Sequence, residues 1–155
     1  HRKAIWTKLQ IENALNAVVK PCEQKGHTLE AISGMALGAD TWFAQQAMKA
    51  SLKVRCYIPC KGQTAKWSEK AKQEYMRIPS SEKNEWKLIH NGPFNKSCMR
   101  ERNQAMVDIS DVAIVVWNGE SGSGTAQTVE MIKRKNISWI HINPKTEEVV
   151  VIQKS

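Results

Sequence analysis

The chain has 155 residues, enough for one domain (residues 1–155) with a buried core, and its 41% hydrophobic and 25% charged residues are ordinary for a globular protein. No apolar run approaches the roughly 20 residues that span a bilayer, and no signal peptide is visible, so we expect a soluble cytoplasmic protein with no membrane partner. The formal net charge of +8 favours an anionic partner: a nucleotide, a nucleic acid or an acidic protein.

A first amphipathic helix is predicted from the spacing of Ile11, Leu15, Val18 and Val19, and Pro21 should end or kink it. Strands are then predicted at residues 28–33, 54–58, 85–89, 112–117, 137–142 and 149–152. Helices are predicted at residues 40–48, 66–78, 97–109 and 124–135. Alternating strands and helices indicate an α/β fold with a mostly parallel sheet covered on both faces, because parallel neighbours need crossover connections.

The basic run Lys133-Arg134-Lys135 falls where the last long helix should end. We interpret these charges as complementing a helix C-terminus, which carries partial negative charge. Since no basic face interleaved with aromatic residues is apparent, binding of extended nucleic acid is only a second choice.

The four cysteines do not form a recognisable metal set. Cys56 and Cys60 are four residues apart, but no second pair and no suitably spaced histidine completes a zinc site. We therefore predict partly buried thiols, with no metal and no cofactor.

Two glycine-rich turns follow predicted strands and precede predicted helices, at residues 34–38 and 121–126. Backbone N–H groups at such a turn, together with the positive end of the helix dipole, favour a phosphate. The second turn is neither a P-loop nor a GxGxxG dinucleotide motif, so a plain strand-to-helix connection is the alternative. In parallel sheets, ligands bind beyond the carboxyl ends of the strands, where both turns should lie.

Four motifs occur in a fixed order along the chain: Ser-Gly-Met-Ala-Leu-Gly-Ala-Asp-Thr-Trp at 33–42, Pro-Cys-Lys-Gly-Gln-Thr-Ala-Lys-Trp at 59–67, Arg-Asn-Gln-Ala-Met-Val-Asp at 102–108, and Gly-Thr-Ala at 124–126. This combination resembles the SLOG superfamily, which joins the DprA (Smf) and LOG proteins, and is most similar to its YpsA-like branch. The resemblance covers nearly the whole chain and implies a Rossmann-like, three-layer α/β/α fold.

The resemblance also bears on the amino end. The family opens with a strand that ends in a Thr-Gly-His-Arg turn, and this chain opens on His1-Arg2 without an initiator methionine. We therefore expect the sheet to have one more central strand than this sequence contains.

The resemblance implies a nucleotide site at the carboxyl edge of the sheet. Its candidate residues are His1, Arg2, Gly34, Met35, Gly38, Asp40, Pro59, Gln63, Trp67, Arg102, Asn103, Trp117, Gly122, Ser123, Gly124 and Thr125. Arg102 would bind a phosphate with its guanidinium fork, although a solvated arginine on the helix surface is the alternative. Asp40 would accept hydrogen bonds from a ribose or, alternatively, complement the dipole of its own helix.

The remaining candidates divide between phosphate and base. Gly122 to Thr125 would supply N–H groups and hydroxyls to a phosphate. Trp67 and Trp117, and with them Trp42, could stack on a base, and Gln63 could hydrogen-bond a base or ribose edge. Core packing is the alternative for the tryptophans, above all for Trp42.

The chain departs from the LOG enzymes at two positions. Their catalytic glutamate lies three residues after the threonine of the glycine turn, where this chain has Thr128. Glu130 comes two residues later and should face elsewhere, since successive helix positions turn by about 100°. Asn103 replaces a lysine of those enzymes. No Ser/His/Asp or Cys/His set is apparent either, so we assign no catalytic residue.

Three functions stay open at this point. The first is binding of a nucleotide or nucleotide-derived signal, such as a cyclic ADP-ribose-like molecule, by a sensor or by a phage-encoded sequestering protein. The second is a LOG-like nucleoside 5'-monophosphate phosphoribohydrolase. The third is DprA-like binding of single-stranded DNA, supported only by charge and fold analogy. The resemblance further implies a homo-oligomer.

Overall fold

The computed structural model of the protein describes residues 2–60, 63–64, 67–93 and 95–154. The helices are α1 Arg2–Gln24, α2 Ala39–Lys49, α3 Glu69–Met76, α4 Lys96–Asp108 and α5 Gly124–Lys135. The strands are β1 Glu30–Ser33, β2 Lys53–Ile58, β3 Glu85–Leu88, β4 Val112–Val116, β5 Ser138–Asn143 and β6 Glu148–Ile152. The predicted order of elements and the Rossmann-like α/β fold class are confirmed.

The strands form two groups of three. β1, β2 and β3 are parallel in that order, and β4 is parallel to β5, with β6 antiparallel on the outer side of β5. β4 and β5 are covered on both faces, because Trp139 packs with α4 and α5 whereas Ile140 and Ile142 pack with α1. The mostly parallel, three-layer arrangement is as expected.

The first helix continues past Pro21, which the sequence had predicted to end or kink it. Proline costs a helix one N–H bond, but here only one further turn follows. That turn is held by hydrogen bonds from the N–H of Lys25 to the carbonyl of Pro21 (3.2 Å) and from the N–H of His27 to the carbonyl of Cys22 (2.9 Å).

Helix α1 contributes side chains to two separate hydrophobic clusters. Leu15 and Val19 belong to the cluster of β1 and β2, while Ile11 and Ala14 belong to that of β4 and β5. One helix thus packs against both strand groups.

Helix α5 has a capping residue at each end, and it begins and ends at the predicted residues, Gly124 and Lys135. Ser123 is the N-cap and its hydroxyl accepts the N–H of Ala126 at 3.0 Å, and Asn136 ends the helix in the left-handed conformation with a φ of 63°.

The basic run lies in the last turn of α5, as predicted, but Lys135 serves the neighbouring helix. Its ammonium donates to the carbonyls of Val107 (3.0 Å), Asp108 (2.6 Å) and Ser110 (2.7 Å), where α4 ends. Lys135 therefore joins the C-terminus of α4 to α5.

We predict that Lys135→Met lowers the free energy of unfolding by about 1–3 kcal/mol, because three carbonyls lose a charged donor. Urea denaturation measures this loss. Lys133→Met is the matched control, since Lys133 is exposed and pairs at 4.0 Å with the exposed Glu130, so its effect should stay within about 0.5 kcal/mol. Equal effects of the two variants would contradict the bridging role of Lys135.

Candidate ligand-binding site

A cavity of about 1110 Å³ opens at the carboxyl ends of β1 and β4 and extends between the two strands. The predicted site residues that line it are Asp40, Arg102, Asn103, Gly124 and Thr125. They come from α2, α4 and the start of α5. Three segments that are distant in the sequence thus meet around one space.

The turn before α5 presents backbone donors to this cavity. Gly122 has a φ of 83°, and Ser123 caps the helix. The first N–H groups of a helix have no partner within the helix, so those of Gly124 and Thr125 are available to an anion. Gly124 is exposed, and a Cβ built on it would meet no atom within 4 Å.

The turn after β1 is tied to α4 by Arg102, whose side chain is only 3% exposed. Its Nη1 donates to the carbonyls of Gly34 (2.5 Å) and Tyr57 (3.2 Å), and its Nε donates to Oδ1 of Asn103 (2.8 Å). These contacts join the carboxyl ends of β1 and β2. The solvated helix-surface alternative for Arg102 is therefore wrong, while binding of a phosphate by Arg102 stays a prediction.

Gly34 is needed because the guanidinium of Arg102 occupies the space beside it. A Cβ at Gly34 would collide with Nη1 of Arg102 and would lie 2.6 Å from its Cζ. Close approach of a side chain from another element explains this glycine, rather than the approach of a ligand.

Asp40, at the start of α2, faces both the turn and the cavity. Its Oδ2 accepts the N–H of Ala36 at 3.2 Å, and its carbonyl accepts the hydroxyl of Ser33 at 2.8 Å. Burial raises the pKa of Asp40, and the nearby charge of Arg102 partly opposes that rise. Asp40 thus stabilises the glycine turn while presenting a carboxyl group to the cavity.

This raised pKa makes stability depend on pH. A carboxyl group that holds its proton more tightly when folded contributes stability below its ordinary pKa of 3.8, and the contribution is lost as the pH rises through the folded pKa. We predict that Asp40→Asn abolishes this loss, so its stability falls less than that of the parent as the pH rises above 3.8. Urea titrations over this range test it, with the exposed Asp108→Asn as control; equal slopes in all three proteins would contradict the assignment.

Gln63 and Trp67 pack behind the glycine turn and are not among the cavity-lining residues in the described chain. Nε2 of Gln63 donates to the carbonyls of Gly34 and Met35, each at 3.3 Å. Trp67 lies edge-on to Tyr75, with ring centres 5.4 Å apart. Gln63 thus supports the turn, Trp67 packs against the hydrophobic cluster of β1 and β2, and contact of either residue with a base stays a prediction.

Other predicted site residues lie away from the cavity or are covered. Met35 and Pro59 are fully buried, Gly38 is the N-cap of α2 with a φ of 94°, and Arg2 is exposed at the start of α1. His1 lies outside the described residues.

Trp117 is occupied by local contacts. Its indole N–H donates to the carbonyl of Glu120 at 3.0 Å, and its ring stacks on His141 with centres 5.2 Å apart. Nε2 of His141 in turn donates a 2.8 Å hydrogen bond to the carbonyl of Trp117. Trp117 therefore holds the chain that leads into the α5 turn. Trp42, for which core packing was the alternative, is half-buried and packs with α1 residues.

Sequence reasoning missed several lining residues, namely Ala36, Leu37, Met99 and Met106. The two methionines are seven residues apart on α4 and flank Arg102 and Asn103, a spacing that places them on one helix face. That signal could have been found. Thr128 also lines the cavity, whereas Glu130 is exposed and does not, as predicted from its helix position.

Cys22, Cys56 and Cys98 are unpaired thiols, as predicted, and burial raises the pKa of Cys56 to about 12. Within the described ranges no three histidine, cysteine or acidic side chains group as metal ligands would. A search of the same ranges found no helix with the length and apolar character of a membrane span.

Comparison with known proteins identifies one family and one relative, each matching most of the chain. A family model named YpsA and described as the YspA SLOG family matches residues 3–144. The chain is also 29% identical over 143 residues to the uncharacterized SPbeta prophage-derived protein YoqJ of Bacillus subtilis (strain 168), with 83% of each protein covered.

Proposed function

The chain belongs to the YpsA family of SLOG proteins, and on that premise we propose that it binds a nucleotide or a nucleotide-derived small molecule. The observation that carries the proposal is the convergence of the Gly124–Thr125 helix N-terminus, Asp40 and Asn103 on one cavity at the carboxyl ends of the strands. The N-terminus suits a phosphate, and the carboxyl and amide groups suit ribose or base.

The biological role we propose is recognition without turnover, by a sensor or by a protein that sequesters a cyclic ADP-ribose-like signal. The relative YoqJ is named as prophage-derived, which favours a phage-encoded sequestering protein. Thr128 in place of the LOG glutamate also favours binding over cleavage.

Thermal shift with AMP and adenosine tests the phosphate contact. We expect AMP to raise the melting temperature and adenosine to raise it much less, because only AMP reaches the α5 N-terminus with a phosphate. A cyclic ADP-ribose isomer is the third ligand. The nucleotide is then recovered and chromatographed: intact ligand supports binding alone, and release of free base would instead establish the phosphoribohydrolase.

A negative charge added at the turn tests where the ligand binds. Gly124→Asp places a carboxylate at a helix N-terminus, where it stabilises the helix by about 0.3–1 kcal/mol but repels a phosphate. We expect this variant to fold and to lose the AMP-induced shift. Gln127→Asp adds the same charge on the same helix at an exposed position and should keep the shift. A retained shift in Gly124→Asp would contradict this site.

DNA binding is tested by a gel shift with single-stranded DNA. The net charge of +8 permits non-specific binding that salt screens. Absence of a complex at about 50 mM salt would exclude the DprA-like alternative.

A further inference from the structure

Asn103 lies on the side of α4 that lines the cavity. Met99, one turn before it, and Met106, one turn after it, line the same cavity, because residues at this spacing share one side of a helix. Asn103 therefore presents an amide between two thioether side chains. An apolar surface with a polar group at its centre suits the flat ring of a base, which methionine sulfur contacts favourably.

The orientation of the Asn103 amide is fixed by Arg102. Nε of Arg102 can only donate, so the atom that it contacts at 2.8 Å must be the amide oxygen, Oδ1. Arg102 is itself held in place, because its side chain is 3% exposed and its Nη1 donates to the carbonyls of Gly34 and Tyr57. The amide of Asn103 is thus held by its oxygen.

This arrangement leaves the amide nitrogen of Asn103 to a ligand. Within the part of the chain that the structure describes, Nδ2 has no hydrogen-bond partner. A ligand N–H directed at Oδ1 would approach the guanidinium of Arg102, and the two positive groups would repel each other. Toward a ligand, Asn103 therefore acts as a donor.

An amide that only donates discriminates between purines. A free asparagine amide suits adenine, because its oxygen accepts from the 6-amino group while its nitrogen donates to N7. Donors alone instead match guanine or hypoxanthine, whose 6-oxygen and N7 are both acceptors. With its oxygen engaged by Arg102, Asn103 matches the second pattern.

We propose that Asn103, positioned by Arg102, is a specificity-determining residue that selects nucleotides whose purine carries an oxygen rather than an amino group at C6. This inference rests on the proposed function, nucleotide binding in this cavity, and it names the class of base that the site prefers.

The preference is tested by calorimetric titration with inosine 5'-monophosphate (IMP) and AMP, which carry the same ribose phosphate and differ at C6. We expect the parent protein to bind IMP roughly tenfold more tightly than AMP. Asn103→Asp keeps an acceptor for Arg102 but replaces the N–H donors by a carboxylate oxygen, so its preference should reverse in favour of AMP. Asn103→Ala should bind the two nucleotides equally.

Gln104→Ala is the matched control for these variants. It removes the neighbouring amide of α4, which donates to Oδ1 of Asp108 at 2.8 Å. We expect this variant to keep the preference of the parent for IMP.

A measurement without nucleotide tests the role of Arg102. Hydrogen exchange of the proton on Nε of Arg102 is followed by NMR in the unliganded protein. We expect this exchange to be roughly tenfold or more faster in Asn103→Ala than in the parent, because the acceptor is gone, and to stay slow in Asn103→Asp, which keeps it.

The outcomes separate this inference from the proposed function. Equal binding of IMP and AMP by the parent, or tighter binding of AMP, would overturn the preference while nucleotide binding itself stands. A preference for IMP that persists in Asn103→Ala would assign the selection to another residue. Unchanged exchange in Asn103→Ala would overturn the positioning by Arg102. Binding of neither nucleotide would contradict the proposed function, and the preference with it.

Discussion

Replacing Gly34 by alanine should lower the free energy of unfolding by about 2–4 kcal/mol. The added Cβ would occupy the position of the Arg102 guanidinium, which is buried and cannot move into solvent without losing its hydrogen bonds to the carbonyls of Gly34 and Tyr57. Chemical denaturation measures the loss. Gly124→Ala is the control, because its Cβ meets open space, and it should change stability by less than about 0.5 kcal/mol.

Because the added Cβ collides with Arg102, the effects of Gly34→Ala and Arg102→Met on stability should not be additive. In an Arg102→Met background the guanidinium is gone, so Gly34→Ala should cost clearly less than it does in the parent protein. A double-mutant cycle measures this coupling. Additive effects would show that the cost of Gly34→Ala comes from the backbone of the turn and not from Arg102.

Arg102→Met should be the most destabilising single substitution, with a loss of about 3–5 kcal/mol. It removes the charged donor to the carbonyls of Gly34 and Tyr57 and the positive charge that opposes the rise in the pKa of Asp40. Arg100→Met makes the same change at an exposed position of α4 and should be nearly neutral.

The same pair of variants separates two roles of Arg102. If it served a ligand alone, Arg102→Met would unfold at the denaturant concentration of the parent and lose only the AMP-induced shift. A large loss of stability, with Arg100→Met unaffected, identifies the buried bridge.

Local signals allowed the fold to be predicted well. The bounds of α5 were predicted from the glycine-rich turn before it and the basic run at its end, and in the structure Ser123 caps the helix and Asn136 ends it, both acting within one turn. Pro21 does not end the helix, because the cost of a missing N–H depends on how much helix follows it. The order of the strands within each group could not be predicted, since hydrogen bonding between strands depends on contacts that are remote in sequence.

The sequence indicated which segments surround the cavity, but not which of their residues line it and which make only structural contacts. The resemblance implied that Asp40, Asn103 and Thr125 lie around one site, and the three residues line one cavity, while their contact with a ligand stays a prediction. Arg102 illustrates what sequence leaves out: its carbonyl partners lie 68 and 45 residues away, and its helix position alone did not distinguish a ligand contact from a buried bridge. The tryptophans pose the same problem, because their aromatic partners are set by tertiary packing.

Helix α1 determines how cooperatively the protein should unfold. Because Leu15 and Val19 belong to one hydrophobic cluster and Ile11 and Ala14 to another, both strand groups lose buried contacts once this helix detaches. Unfolding should consequently be cooperative, with a single transition reported by probes in both groups, rather than the stepwise melting of two independent halves.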